Sequence, residues 1–207
     1  MSILNLEEFQ RTALVAAPFR HLLVRNFINE PYAASALRDF PMIEHAGLMP
    51  VEATTPGPVF AKLITELTSS AVTAAFSEKF NIDLTGRPTM VTLRGYAQEK
   101  DGRIHTDSEA KLVTALLYFN ESWHARGGRL RLLRNGTDLN DIITEIPPLL
   151  GTLVAFQRTE NSFHGHESYE GVRRYAMINW MSNNLAAQRE LMRHKFSAQA
   201  KRLFNYA

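Results

Sequence analysis

From Pro88 onward the chain is built of short apolar runs: TMVTLRGYA, KLVTALLYFN, GGRLRLLR, TLVAFQR and RRYAMINWM. Each is rich in β-branched or aromatic residues, and turns of Gly, Asn, Asp or Pro separate them. Segments of that kind pair as strands, so this half of the chain predicts an antiparallel sandwich or barrel. Ahead of it, HLLVRNFINEPYAASALRDFP predicts a strand over Leu22–Phe27 and then a helix, with Asn29 as its cap, Pro31 in its first turn and Pro41 after its end. In PVFAKLITELTSSAVTAAFSEKF, Phe60, Leu63, Ile64 and Leu67, then Val72, Ala75 and Phe76, recur at helical spacing and predict one or two helices. After Asn184 the tail reads as an amphipathic helix with Leu185, Leu191, Met192, Phe196, Ala200 and Leu203 on its apolar side. The simplest organisation is one domain over 1–207: a helical lead-in to about 87, a β core over about 88–183, and a helix over about 184–207.

A chain of 207 residues is long enough to bury a core. Its net charge of +2 calls for neither nucleic acid nor membrane. Arg189, Arg193, Lys195, Lys201 and Arg202 on the last helix are expected to be a solvated face. The apolar side of that helix is expected to cover the outer sheet, with a homodimer contact as its alternative use. The absence of cysteine excludes disulfides, thiolate metal sites and a cysteine nucleophile, and fits a reducing compartment. The N-terminal segment carries Glu7 and Glu8 and has no long apolar run, unlike a signal peptide. No segment approaches the roughly 20 apolar residues of a membrane span. The expectation is a soluble cytoplasmic protein.

Chemistry concentrates in two stretches. GRIHTDSEAK places His105 and Asp107 two residues apart, and side chains so spaced on extended chain share a face. About sixty residues later, NSFHGHESYEGVRRYAMINW offers His164 and His166 just after a buried-looking strand. Two imidazoles and a carboxylate on one triangular face of a six-coordinate ion leave three adjacent positions open, the arrangement of non-haem Fe(II) oxygen chemistry. The ligand set is therefore His105, Asp107 and one of His164 or His166. His21, His45, His124 and His194 read as ordinary loop or core histidines.

The ordered set HTD, VTALLYFN, GGRLRLL, GTLVAFQ, SFHGH and RRYAMINWM, over roughly Thr89 to Ser182, resembles the Fe(II)- and 2-oxoglutarate-dependent oxygenases, in particular their prolyl hydroxylase-like branch. The resemblance implies a double-stranded β-helix, a cupin-like jelly roll in a mainly β (α+β) chain with flanking helices. It implies a dioxygenase using Fe(II), 2-oxoglutarate and O2, with ascorbate as an auxiliary reductant. Such an enzyme hydroxylates an unactivated C–H bond and releases succinate and CO2. His105 and Asp107 match the first two iron ligands. The family places a basic residue about nine to eleven positions beyond the distal histidine, often with a tryptophan six further on. Arg174 with Trp180 fits that spacing, which makes His164 the third ligand and leaves His166 beside the metal or on the substrate's side.

Arg174 is then expected to pair with the distal carboxylate of 2-oxoglutarate, which would be costly to bury alone. Tyr118 is expected to add a phenol hydrogen bond, with Thr114 and Leu116 on the same inward face, and Tyr96 is a candidate for the cosubstrate or substrate wall. Arg94 and Arg158 are read as solvated. The substrate is a peptide, such as a peptidyl proline, or a small molecule, held by loops near 42–58, 98–103 and 135–145. The rival readings are a cupin-like metal enzyme that does not use 2-oxoglutarate and a non-catalytic binding protein on the same fold.

Overall fold

The computed structural model describes residues 2–185, 187–189 and 192. In the first half, α1 (Leu6–Arg11) starts at Asn5, whose side chain accepts from the Glu8 amide at 3.0 Å. Next come β1 (His21–Val24), α2 (Glu30–Arg38), β2 (Met49–Pro50), α3 (Pro58–Leu67) and α4 (Ser70–Phe80). Pro31 and Pro58 stand in first turns, where a missing amide costs nothing. Asn29 holds the cap position of α2, but its side chain accepts from no helix amide and instead donates to the Ser2 carbonyl at 3.0 Å. The first strand is shorter than expected and ends at Val24; the Phe27 amide turns to the Gly151 carbonyl at 2.9 Å.

The second half holds β3 (Thr89–Ala97), β4 (Lys111–Tyr118), β5 (Leu130–Leu133), β6 (Ile142–Ile146), β7 (Leu153–Gln157), β8 (His164–Gly165) and β9 (Gly171–Met181). Two antiparallel sheets result, ordered β1-β7-β4-β9-β3-β2 and β6-β5-β8. This is the jelly roll the sequence led us to expect. The lead-in is not purely helical, because β1 pairs with β7 and β2 with β3 at the edges of the large sheet. Of the C-terminal helix, residues 184, 185, 187–189 and 192 are helical, and the remainder lies outside the described residues. Among the described residues no single helix is long and apolar enough to cross a membrane.

The large sheet is buried on both faces. Leu116, Tyr118, Val154, Phe156, Tyr175 and Met177 face inward and meet Leu130, Leu132 and Ile146 of the small sheet. Val113, Ala115, Ala176, Ile178 and Trp180 face the helices and pack with Phe60, Leu63, Phe76 and Phe80. Trp180 lies 4.5 Å from Phe76, ring to ring, and donates its indole N–H to the Thr73 hydroxyl at 3.2 Å. A sheet covered on both sides loses the alternation of apolar and polar residues, which has consequences for the site.

Candidate active site

The loop from β3 to β4 carries His105 and Asp107. His105 bridges to His164 in β8 through two backbone hydrogen bonds, each amide donating to the other's carbonyl at 3.0 Å. Directly opposed residues of an antiparallel pair point the same way, and the two rings lie 4.3 Å apart. In turn, β8 is held by β5 through the Leu132–His164 register. The close approach needs glycine: a Cβ on Gly165 would sit 2.7 Å from the Gly102 carbonyl oxygen. Gly102 itself has φ +92°, where a side chain would be strained and would meet the His166 carbonyl oxygen at 2.5 Å.

His105, Asp107 and His164 each offer a ligand atom, and these atoms lie within 4.8 Å of one another. His105 Nδ1 faces the Arg103 carbonyl at 2.8 Å, and His164 Nδ1 faces the Ser162 carbonyl at 3.0 Å. A ring nitrogen against a carbonyl must carry the proton, so the lone pair of each ring is left on Nε2, ready for a metal. Burial pushes His164 down to about 4 against the pull of Asp107, which keeps the ring neutral, as a ligand must be. Asp107 is the opposite case. Burial favours its neutral form, but Lys111 and His164 outweigh that and hold its carboxyl at about 2. Lys111 Nζ donates to Oδ1 at 2.8 Å, and the Thr114 hydroxyl donates to Oδ2 at 2.5 Å. Asn179 donates to the Thr114 oxygen at 2.8 Å, which commits the threonine proton to Asp107.

The triad opens into a cavity of about 700 Å³, walled by Thr114, Leu116, Leu130, Tyr175 and Met177 and rimmed by Leu48 and the loop 100–108. Of the expected substrate loops, 98–103 and one residue of 42–58 reach it, while 135–145 does not; Ile142–Ile146 is strand β6. His166 lines the cavity outside the metal group, with Nδ1 on the Glu167 carbonyl at 2.8 Å. Burial, then Arg173, pushes its ring down to about 4.

The two adjacent arginines part company. Arg174 does not face this cavity; it lines an outer groove with Met42, Glu121 and Val172. Arg173 points inward, 2% exposed, and lines the cavity. The family spacing to Trp180 pointed to Arg174, but Arg174 shares its strand face with Ala176, Ile178 and Trp180, and that face meets the helices. Tyr96 is also displaced. A register shift between Arg94 and Tyr96 turns Arg94 into the cavity and Tyr96 into the outer groove. Tyr118 is inside as expected, though behind the wall rather than on it; its ring lies 5.6 Å from the Arg173 guanidinium.

Arg173 Nε donates to the Gly128 carbonyl at 2.7 Å, but its Nη2 is buried without a hydrogen-bond partner among the described residues, as is the Tyr118 hydroxyl. Burial pushes Tyr118 up to about 12, so it stays a donor. A desolvated guanidinium beside an idle phenol is a fitting receptor for a carboxylate.

Three residues carry more than sequence reasoning gave them. Lys111, buried against Asp107, shows only as a lysine opening an otherwise apolar strand. Arg94 is buried in an ion pair with Asp101. Arg158 donates to the Asp107 carbonyl at 3.2 Å and steadies the ligand loop. Arg94 and Arg158 read as solvated in the sequence because nothing in their spacing to Asp101 and Asp107 shows that the fold brings these groups together at the cavity.

A jelly roll with a His-Asp-His cluster at its open cavity defines a class of metal-dependent oxygenases. In this chain residues 91–182, which contain the whole triad, match the family described as the 2OG-Fe(II) oxygenase superfamily. Its fold is similar to that of a prolyl-4-hydroxylase from Pseudomonas putida, at 16% identity and TM-score 0.54, covering 85% of this chain and 96% of that one. It is similar too to the viral collagen prolyl hydroxylase of Paramecium Bursaria Chlorella virus-1, at 14% identity and TM-score 0.51, covering 79% and 90%. A third likeness is to a prolyl 4-hydroxylase from Phytophthora capsici, at 16% identity and TM-score 0.51, covering 81% and 60%. No curated protein matches the chain in sequence.

Proposed function

We propose that His105, Asp107 and His164 hold Fe(II), that Arg173 and Tyr118 receive the distal carboxylate of 2-oxoglutarate, and that the enzyme hydroxylates a C–H bond of a peptide or small molecule. The observation that carries this reading is the buried Arg173 guanidinium with an unused Nη2 in the same cavity as the triad. A cupin-like enzyme without 2-oxoglutarate would have no use for that desolvated charge.

When bound, Fe(II) and 2-oxoglutarate supply the oxidation, with O2 consumed and succinate and CO2 released. The chain contributes positioning and exclusion of water. His105 and His164 present fixed Nε2 lone pairs. Asp107 presents a carboxylate kept ionised by Lys111 and oriented by Thr114. Arg173 sets how deep the diacid sits, and Leu116, Leu130 and Met177 keep that depth dry. The likeness to prolyl hydroxylases supports a peptidyl proline as one substrate class, and the open rim of Leu48 and the loop 100–108 leaves room for an extended chain. The test is succinate release by anaerobically iron-loaded protein, then exposed to air, against proline-containing peptides and small molecules. Succinate formation that requires Fe(II) and 2-oxoglutarate supports the proposal; its absence from the loaded protein, with every candidate substrate and with none, contradicts it.

A further inference from the structure

Lys111 is neither a proposed metal ligand nor a proposed anchor of the diacid. Its side chain is 8% exposed, lines the cavity, and lies 2.8 Å from a carboxylate oxygen of the proposed ligand Asp107. Thr114 and Asn179 already fix the other oxygen of Asp107. Lys111 is thus not needed for orientation alone, and its distinctive contribution is charge.

Among the three proposed ligands, two are neutral imidazoles and Asp107 alone is negative. Lys111 cancels that charge. Arg94 and Asp101, on the same cavity wall, cancel each other. Arg173 adds a buried cation that no hydrogen bond from Nη2 relieves. A bare divalent ion entering here meets fixed charges that already sum to positive. A dianion entering with it meets the reverse, since Lys111, Arg173 and the ion all attract it. Charges this close and this little hydrated interact strongly.

We propose that Lys111 is a positioning residue that couples metal retention to diacid binding: it holds Asp107 ready, weakens the grip on a lone divalent ion, and strengthens it once the diacid is in place. The inference rests on the metal site proposed above. The diacid is held through the ion, so the attraction of Lys111 for it exists only when both are bound and shows as tighter retention of the ion; by reciprocity the ion raises diacid affinity by the same factor.

The test is calorimetric titration of the full chain with MnCl2, with and without saturating 2-oxoglutarate, a readout that needs no turnover. Lys111→Gln should bind Mn²⁺ alone on the order of tenfold more tightly than the unaltered protein, and 2-oxoglutarate should tighten Mn²⁺ binding by a correspondingly smaller factor. Lys111→Arg keeps the charge and should keep the coupling. The proposal is overturned if Lys111→Gln binds lone Mn²⁺ no more tightly or shows the original coupling. Lys111→Met serves as a second uncharged variant; if neither it nor Lys111→Gln folds, Lys111 is a folding counter-ion and the proposal also fails. A different failure marks the underlying reading: unaltered protein that binds no Mn²⁺, or whose Mn²⁺ affinity survives His164→Ala, has no metal site of the kind described.

Discussion

Replacing Arg173 by methionine should act in opposite directions on the free protein and on its complex. In the free protein the guanidinium makes one strong hydrogen bond, to Gly128 at 2.7 Å, and lies 5.6 and 5.1 Å from the Tyr118 and Tyr175 rings, while Nη2 stays buried without a hydrogen-bond partner among the described residues. Losing that bond costs about 2 kcal/mol, while removing a desolvated charge returns a similar or larger amount. The melting temperature of the free protein should therefore hold or rise. In the complex the distal carboxylate of 2-oxoglutarate loses its guanidinium partner and keeps the Tyr118 hydroxyl. Truncating one side of such a buried pair costs about 3 to 4 kcal/mol, roughly two to three orders of magnitude in Kd. The assay is calorimetric titration of 2-oxoglutarate into Mn²⁺-loaded protein, paired with thermal melts of the metal-free form. Arg174→Met, in the outer groove, should change Kd by less than about twofold, within the range of a surface substitution. Lost diacid affinity in Arg174→Met but not in Arg173→Met would refute the inward assignment.

Three further outcomes follow from the same geometry. Asp107→Ala and His105→Ala should both abolish Fe(II)-dependent succinate formation, but only the first should lower the melting temperature of the metal-free protein. It leaves Lys111 buried without its counter-ion, at about 3 to 5 kcal/mol, whereas His105 is exposed. Gly102→Ala should destabilise by about 1 to 3 kcal/mol in denaturant unfolding, because its φ of +92° and the His166 carbonyl 2.5 Å from any Cβ leave no relaxed place for a methyl group. Asn120→Ala should cost about 3 kcal/mol in the same measurement. Asn120 donates to the Pro148 and Arg174 carbonyls at 2.7 and 3.1 Å and accepts from the Arg174 amide at 2.9 Å, so it pins the segment that aims Arg173 inward.

The metal centre was legible because its chemistry sits in sequence: His105 and Asp107 two apart, and histidines at the end of an apolar strand. The strands were legible too, and TMVTLRGYA coincides with β3 from Thr89 to Ala97. What could not be read was which face of a strand is inside. Both faces of β9 are buried, so Ala176, Ile178 and Trp180 look as internal as Tyr175 and Met177. Parity then has nothing to anchor it, and counting from Trp180 chose the arginine that lines the outer groove. Tyr96 was misplaced for a second reason: the register shift after Arg94 breaks alternation without leaving a composition signature. Lys111 was invisible for a third, since a lysine four residues from an aspartate is buried only if the tertiary structure makes it so.

If His105, Asp107 and His164 form one metal site served by a diacid anchor in the same cavity, iron and 2-oxoglutarate must bind there together. Anaerobic addition of Fe(II) and then 2-oxoglutarate, followed by visible spectroscopy, tests it most directly. A charge-transfer band should appear only with both components, saturate at one equivalent of iron, and vanish in His164→Ala. Iron that binds without any band on addition of 2-oxoglutarate, or a band that persists in His164→Ala, would contradict it.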